Sequence, residues 1–345
     1  MAASRMADIF AEGFARGASD VHLAAGQRPF LRMTPLSEDS LTQTELQDFL
    51  ASILTEAEHE RLRQEKSLDL SLVLEERHCR AHVYGMGGSW AIAVRLLPRE
   101  IPALSSLGVP PVLFSLLRAR DGLILVGGRT GAGKSTTLAA FIEEMNKSRA
   151  AHIITLEDPV EYAFVPKCCF ISQRTLGRDF PSFPTGLRDA LREDPDVILI
   201  GEMRERETVR IALQAAESGC LVLATLHTRD AAEAVLRIEG MFAGEEQQMR
   251  HQLALVLRAI FSQRLLPQAG GGRVLAAEAL VAVPAVRNLI RTGRVAQLRG
   301  AILSGGAQGM QTMAQSVEGL LRTGKITREA AEAALADGDA FGEGR

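Results

Sequence analysis

The chain has 345 residues, of which 46% are hydrophobic and 23% are charged, and its formal net charge is -3. This length accommodates about two domains that each bury a core, and the composition excludes a disordered or fibrous chain. The near-neutral charge does not favour nucleic acid as the main partner, because duplex-binding proteins carry a basic surplus. The four cysteines form no CxxC pair and no spaced Cys/His set for structural zinc. No stretch approaches the roughly 18 apolar residues of a spanning helix, so we expect a cytoplasmic protein.

Residues 1–97 mix helical and strand patterns. The segment LTQTELQDFLASIL has apolar side chains on one helical face, namely Leu46, Phe49, Leu50 and Ile53. The segment AIAVRLL reads as a strand, and we therefore predict a small α+β domain. Residues 98–111 contain four prolines, which remove backbone donors and fix φ. This segment is predicted to be a linker between two domains.

After the linker the pattern changes to short apolar runs that alternate with helical segments. The runs are GLILVGG, HIITL, DVILIG and CLVLATL. Such alternation is typical of parallel strands buried on both faces by crossover helices, and it predicts an α/β core over 112–283. From about Pro284 the strand patterns stop, and residues 284–345 are predicted to be a helical C-terminal segment.

A glycine-rich loop lies at the start of this core. Residues 128–135 read GRTGAGKS, which matches GxxxxGK[ST] between an apolar run and a helical pattern. In that context backbone N–H groups surround phosphate oxygens at a helix N-terminus. Lys134 is expected to reach the β- and γ-phosphates, and Ser135 to place its hydroxyl on Mg2+. The sequence therefore predicts that ATP is bound by Gly128, Thr130, Gly131, Ala132, Gly133, Lys134, Ser135 and Thr136.

Polar residues follow three of the apolar runs, where ligands collect in an open parallel sheet. In chain order they are Glu157, Asp158 and Glu161, then Glu202, then His227 and Thr228. ATP hydrolysis needs one acidic group near magnesium and another that orients or deprotonates water. Alone, each acid is better explained as a helix cap or loop residue, and the histidine equally well as a packed imidazole. Their combination with the phosphate loop favours a catalytic role.

Several segments of the sequence resemble those of a known family. LEDPVEY, ALREDPDVILIGEMRERET and ATLHT are similar to the acidic box, the Walker B segment and the histidine box of secretion and pilus ATPases. ASDVHL, AVRNLIR, GMQTMAQS and LLRTGKIT are similar to the type IV pilus retraction ATPases, the PilT family. The resemblance implies a PAS-like domain at 1–97, a linker at 98–111, a RecA-like P-loop ATPase core at 112–283 and a helical region at 284–345.

The resemblance also implies roles for individual side chains. Glu161 would act as the general base, and Glu157 is close enough in sequence to compete for that role. Glu202 would hold magnesium directly or through water, and His227 would sense or position the nucleotide. Each of these assignments is carried over from the family motifs that the residues match.

Arginines of the N-terminal domain, here Arg80 and Arg95, would neutralise the γ-phosphate by the same resemblance. Taken alone, either arginine reads as a surface ion-pair residue. The chain also departs from the family pattern. Cys220 stands where the first histidine of the histidine box is expected, and His82 stands where a further arginine is expected. These departures weaken the expectation of full arginine-finger activity.

The function implied is a homo-hexameric, ATP-hydrolysing motor that drives type IV pilus retraction from the inner face of the inner membrane. Its expected partner is a PilC-like platform protein, and a paralogous retraction ATPase is a further candidate. The alternatives are an ATPase of a related type II, type IV or conjugative secretion system, or a weakly active regulatory paralogue in the ring. The helix AVRNLIR reads without the family as an amphipathic helix with Arg287 and Arg291 solvated. With the family, Arg287→Ala is expected to spare hydrolysis and abolish movement.

Overall fold

The computed structural model describes residues 2–32, 34–35, 39–75, 77–97 and 100–339. Outside these residues lie 98 and 99 of the predicted linker, 340–345 of the predicted helical region, and 1, 33, 36–38 and 76 of the predicted N-terminal domain. The chain divides into two compact units. Unit 1 comprises Met1–Glu100 with Pro159–Ala163, and unit 2 comprises Ile101–Asp158 with Phe164–Arg345.

Unit 1 is an antiparallel sheet with helices on one face. Its helices are α1 (Ala2–Ala15), α2 (Gln43–Ile53) and α3 (Glu56–Glu65). Its strands are β1 (Asp20–Ala24), β2 (Phe30–Leu31), β3 (Thr34–Pro35), β4 (Ser67–Leu74), β5 (Arg77–Met86) and β6 (Ser89–Leu96). Over the described residues the strand order is β3-β2-β1-β6-β5-β4.

The sheet of unit 1 has one buried face, because side chains alternate along its strands. In β4 buried residues recur at every second position. The helical face predicted for α2 is confirmed, since Leu46, Phe49 and Leu50 are buried and join Phe10 of α1 in the core of this unit. Helices α2 and α3 each begin after a threonine that forms a capping box with the glutamate at the third helical residue, which satisfies otherwise unpaired N–H groups.

Unit 2 contains a larger sheet with helices on both faces. Its strands are β7 (Gly122–Gly127), β8 (His152–Glu157), β9 (Phe170–Thr175), β10 (Val197–Ile200), β11 (Leu221–Leu226), β12 (Leu257–Pro267) and β13 (Arg273–Val281). Its helices are α4 (Val112–Leu116), α5 (Lys134–Ser148), α6 (Phe183–Ala190), α7 (Arg206–Glu217), α8 (Ala231–Gly240), α9 (Glu246–Val256), α10 (Pro284–Arg291), α11 (Leu298–Ser304), α12 (Met313–Arg322) and α13 (Arg328–Asp339).

The strand order of unit 2 is β13-β12-β7-β11-β10-β8-β9, read over the described residues. Every neighbouring pair is parallel except β12 with β13. The four predicted strands are β7, β8, β10 and β11, and all residues of β7, β10 and β11 are buried, as strands covered on both faces should be. The predicted α/β class is confirmed, and the antiparallel edge pair is an addition to it.

Helices take over after β13, as predicted, and within the described residues no named strand follows Val281. The helix AVRNLIR corresponds to α10, with Val286 and Ile290 buried. Arg287 is not solvated as the simple amphipathic interpretation requires. Its Nε donates to the carbonyl oxygen of Ala282 at 2.8 Å, and its Nη1 donates to that of Ala254 at 2.9 Å, near the end of α9. No helix among the described residues is long and apolar enough to cross a membrane.

Candidate nucleotide-binding site

The phosphate loop joins the end of β7 at Gly127 to the start of α5 at Lys134. Two of its glycines are required by the backbone. Gly133 has φ +86°, a left-handed conformation that a side chain disfavours. At Gly128 a Cβ atom would lie 2.8 Å from the carbonyl oxygen of Gln263, so no side chain fits there. The loop therefore keeps its backbone exposed to a ligand at the N-terminus of α5.

Lys134 lies over this loop. Its Nζ donates hydrogen bonds to the carbonyl oxygens of Gly128 at 2.7 Å and Arg129 at 3.2 Å, and the residue is only 8% exposed. A buried ammonium group needs hydrogen-bond partners or an anion. Neutral carbonyls are weaker partners than phosphate oxygens, so a bound triphosphate would draw this ammonium group onto the phosphates. Ser135 follows directly and starts the first turn of the same helix.

Glu202 and His227 come together at the carboxyl ends of two adjacent parallel strands. Glu202 follows β10 and His227 follows β11, and Nε2 of His227 lies 3.3 Å from Oε1 of Glu202. The other carboxylate oxygen of Glu202 forms an ion pair with Nη2 of Arg204 at 2.6 Å. Burial alone would raise the pKa of Glu202, but the hydrogen bond to Arg204 and the charges of Arg204 and His227 outweigh it and lower that pKa. Glu202 is therefore an ionised carboxylate that is suited to a cation or its waters.

Two residues of this arrangement were not predicted from the sequence. Arg204 stands two positions after Glu202, where an extended segment places side chains on the same side. Thr225 of β11 binds the residues on both sides of Glu202. Its hydroxyl donates to the carbonyl of Gly201, and its own carbonyl accepts the N–H of Met203 at 3.1 Å. The spacing of Glu202 and Arg204 in GEMR was a signal that could have identified Arg204, whereas the role of Thr225 depends on the strand register.

The two candidate bases fall in different units. Glu157 is the last residue of β8, beside β10, and is 9% exposed. Gly201 packs against it so closely that a Cβ there would lie 3.2 Å from Cα of Glu157. Glu161 belongs to Pro159–Ala163, which groups with unit 1. Within unit 2 the structure thus brings Glu157 to the same edge of the sheet as Glu202.

Arg80 and Arg95 lie in unit 1 as cross-strand partners in β5 and β6, and both are exposed. Nε of Arg95 donates to Oδ1 of Asp20 at 3.0 Å. His82, two positions after Arg80, lies with Nδ1 3.1 Å from Oδ1 of Asp69. The predicted arginines therefore form one exposed basic row, and the histidine that replaces a third arginine is paired with a carboxylate.

Cys220 lies at the opposite edge of the sheet from His227. It precedes β11, whose six residues separate the two side chains by roughly 20 Å. The thiol is buried and donates to the carbonyl of Pro195 at 3.2 Å, and burial raises its pKa. Substitution of a histidine by Cys220 therefore does not alter the edge that carries the phosphate loop.

The fold and the site together define a P-loop nucleotide-binding protein. A mostly parallel sheet carries a glycine loop after β7, and a carboxylate and an imidazole meet beside it at the ends of β10 and β11. Lys134 places an ammonium group at the loop, and Glu202 places an ionised carboxylate at the same edge of the sheet.

The chain belongs to the family described as Type II/IV secretion system protein, which matches residues 4–271. An Escherichia coli K12 protein described as uncharacterized protein YggR is 43% identical over 324 residues, which cover 93% of this chain and 99% of that protein. The type IV pilus retraction ATPase PilT of Pseudomonas aeruginosa is 38% identical over 328 residues, which cover 93% and 95% of the two chains.

A solved structure is similar over nearly the whole length of the chain. The crystal structure of the pilus retraction motor PilT with bound ADP superimposes with a TM-score of 0.87 at 42% identity, covering 95% of this chain and 96% of that one. These relatives confirm the predicted resemblance to the pilus retraction ATPases and the predicted two-domain ATPase fold. They also bear out the prediction that the chain is a nucleotide-binding ATPase.

Proposed function

We propose that this chain is the ATP-hydrolysing motor subunit of a homo-hexameric ring that drives type IV pilus retraction. The relatives named for pilus retraction are matched over more than nine-tenths of both chains, and their family includes secretion proteins. In this proposal the ring docks at the inner face of the inner membrane against a PilC-like platform protein. The observation that carries the proposal is the phosphate loop with Lys134 beside the Glu202 and His227 pair.

Magnesium would accompany the nucleotide in this site. Among the described residues, no group of three or more His, Cys, Asp or Glu side chains is arranged to hold a metal ion. That finding fits Mg2+, which usually takes one or two protein ligands together with phosphate oxygens and water. The hydroxyl of Ser135 and the ionised carboxylate of Glu202 would hold it. When bound, the ion neutralises charge on the β- and γ-phosphates.

The remaining proposed roles divide between binding and proton transfer. Lys134 and the loop N–H groups hold the phosphates, and His227 positions the nucleotide from its contact with Glu202. Glu161 accepts the proton of the attacking water, and Glu157 is the competing candidate for that step. In the assembled ring, Arg80 and Arg95 would neutralise charge on the γ-phosphate.

Phosphate release by the purified chain with ATP and magnesium tests the proposal. We expect hydrolysis by the wild type and a loss of at least about 100-fold in both Lys134→Ala and Glu202→Ala. Lys147→Ala is the matched control, because Lys147 lies in the last turn of the same helix and pairs with Glu144 at 3.0 Å. Folded wild type that binds ATP and releases no phosphate would overturn the motor and favour the regulatory paralogue.

The cellular role requires a separate measurement. Deletion of the gene should leave pili that extend and do not retract, with protein secretion intact. Restoration by the wild type and not by Lys134→Ala would tie retraction to the nucleotide site. Normal retraction together with lost secretion would assign the chain to a related secretion system instead.

A further inference from the structure

Residues 227–230 join β11 to α8 and are called the histidine segment. A buried carboxylate that no proposed catalytic step uses lies next to this segment. Glu278 is in β13 and is only 7% exposed. Its Oε1 accepts the backbone N–H of Ala231 at 2.9 Å. Ala231 is the first residue of α8, and three residues separate it from His227. A carboxylate contributed by the sheet edge therefore holds the start of the helix that follows the histidine.

Hydrogen bonds fix the segment between His227 and α8 on several sides. Asp230, the N-cap of α8, accepts the N–H of Glu233 at 2.7 Å, and the Glu233 side chain accepts the N–H of Arg229 at 2.8 Å. These two bonds lie within the segment and α8. Glu278 supplies a hydrogen bond from β13 to the start of α8, whereas the ion pair between Glu239 and Arg250 of α9 lies at the other end of this helix. Without Glu278 the buried N–H of Ala231 would lose this acceptor, which is unfavourable.

The strand register places Glu278 on one row with the phosphate loop. Leu226, the last residue of β11, pairs with Gly127 of β7. Gly127 pairs with Ser262 of β12, and Ser262 pairs with Glu278 of β13. Neighbouring strands are about 4.8 Å apart, so roughly 14 Å separate β11 from β13 along this row. The residues before His227 and before the phosphate loop thus lie on the row that ends at Glu278.

The histidine segment also packs directly on the start of the phosphate loop. A Cβ atom at Gly127 would lie 2.7 Å from Oγ1 of Thr228 and 3.2 Å from its carbonyl oxygen. Thr228 is 2% exposed and follows His227. Displacement of the start of α8 would therefore move Thr228 against Gly127 and move His227 away from Glu202.

Burial and the neighbouring charges shift the pKa of Glu278 in opposite directions. Burial raises the pKa of Glu278 to about 7, the N–H of Ala231 opposes that rise, and the nearby carboxylate of Asp230 adds to it. Arg299 of α11 and Arg264 of β12 act in the opposite direction.

We propose that Glu278 is a positioning residue for ATP hydrolysis. It holds the histidine segment so that His227 stays against Glu202 beside the phosphate loop. This inference rests on the proposed ATPase function. Glu278 touches no reacting atom and acts through the N–H of Ala231. It links the edge strand that leads into the C-terminal helices to the catalytic edge of the sheet.

Steady-state hydrolysis by Glu278 variants tests this role. In Glu278→Ala we expect kcat to fall about ten- to a hundredfold, as small misplacements do, with KM for ATP changed less than about twofold. Glu278→Gln keeps an oxygen that accepts the Ala231 N–H, and should retain kcat within about threefold. If Glu278→Ala does not fold, Glu278→Asp replaces it, because the shorter side chain keeps the charge and loses the reach.

Two comparisons separate positioning from simple loss of stability. Glu58→Ala is the matched control, because Glu58 is another buried carboxylate that accepts a backbone N–H at a helix start, from Thr55 at 2.7 Å. It should lower the unfolding midpoint without lowering kcat. In a His227→Ala background, Glu278→Ala should cause no further loss of kcat, since coupled residues are not additive.

The outcomes distinguish this inference from the proposed function. Independent, multiplying losses in the double variant, equal kcat losses in Glu58→Ala and Glu278→Ala, or failure of Glu278→Gln to retain kcat would each overturn the positioning role while leaving an active ATPase. Absence of hydrolysis in the wild type would instead remove the proposed function.

Discussion

The two sheets of the molecule collect functional side chains in different ways. In unit 2 parallel strands share one carboxyl edge, so Glu157, Glu202 and His227, from distant parts of the sequence, reach the same edge as the phosphate loop. In unit 1 the strands are antiparallel, and Arg80 and Arg95 are neighbours across one exposed face. A parallel sheet can therefore build a site at its edge, whereas the antiparallel sheet presents a charged surface.

The difference predicts two kinds of defect. In the proposed function the phosphate loop at the edge of the parallel sheet holds the nucleotide, so loss of its residues should affect binding and turnover together. Residues of unit 1 have no phosphate loop of their own, so their loss should affect turnover and leave the affinity of isolated subunits for nucleotide unchanged. Glu161 is the informative exception, since it lies in the core sequence and groups with unit 1.

The largest effect is expected for Glu161→Gln. The amide keeps the shape of the side chain and cannot accept a proton, so turnover should fall about 100- to 10,000-fold while ATP affinity stays within about twofold. Phosphate release and fluorescent-nucleotide binding, measured on the same preparation, check this. Equal loss of binding and turnover would indicate that Glu161 is structural.

Glu157→Gln is the matched variant for that experiment, because it replaces the competing acid with the same amide. If Glu161 is the base, Glu157→Gln should retain much of the turnover. The reverse result, an inactive Glu157→Gln with an active Glu161→Gln, would place proton transfer at the edge of the parallel sheet and make unit 2 sufficient for the chemistry.

The next effect concerns the exposed arginines of unit 1. Arg95→Ala should lower turnover about tenfold to a hundredfold without weakening nucleotide binding, because its charge would act on the γ-phosphate. Asp20→Ala removes the partner of the same ion pair and leaves Arg95 in place. Arg95 is exposed and Asp20 keeps a second cation, Arg32, nearby. Ion pairs at the surface contribute about 1 kcal/mol or less to stability, so both variants are expected to fold. Equal hydrolysis in both variants and the wild type would reduce Arg95 to a surface ion-pair residue.

Part of the parallel sheet and of its functional edge could be predicted from the sequence. The phosphate loop, Glu202 and His227 follow short apolar runs that alternate with helical segments, and this alternation predicted parallel strands with a common edge. The edge pair β12 and β13 was not predicted, because α9 passes directly into β12 between Val256 and Leu257 without a turn residue. Continuous apolar sequence of this kind does not distinguish helix from strand.

Contacts made by charged side chains were the least predictable part. The pattern AVRNLIR indicated an amphipathic helix, and it could not show that Arg287 donates to the carbonyl of Ala282, just after β13, and to that of Ala254 in α9, which is distant in sequence. Arg80 and Arg95 were singled out by resemblance alone. Only the strand register shows that they are neighbours.

A smaller effect, on stability, is expected for Arg287→Ala. The side chain donates to carbonyl oxygens at the C-terminal end of α9, which have no further partner in the helix. Its loss should lower the free energy of unfolding by about 2 to 3 kcal/mol. Arg291→Ala is the control, since Arg291 is exposed and bonds only the Asn288 side chain at 2.9 Å. Equal urea unfolding midpoints in Arg287→Ala and Arg291→Ala would contradict this prediction. The expectation that Arg287 affects movement alone would then stand.

The smallest effect is expected in the pH dependence of the free energy of unfolding, and it arises from Glu278 in unit 2. The pKa of Glu278 lies near 7 in the folded chain and near 4.5 for an ordinary glutamate, because burial disfavours its charged form. Between these values the folded state binds one proton more than the unfolded state, so stability falls as the pH rises. Relative to Glu278→Gln, the wild type should lose about 1 to 2 kcal/mol of unfolding free energy between about pH 5.5 and pH 7.

Urea unfolding of both proteins at each pH measures this difference, because titrations shared by the two chains cancel. Asp230 raises the pKa of Glu278, whereas Arg264 and Arg299 lower it, so Asp230→Asn should reduce the slope. A difference that stays flat or rises with pH would mean that Glu278 is ionised throughout this range. In that case the arginines compensate its burial, and the start of α8 is held by a carboxylate at every pH at which the sheet is folded.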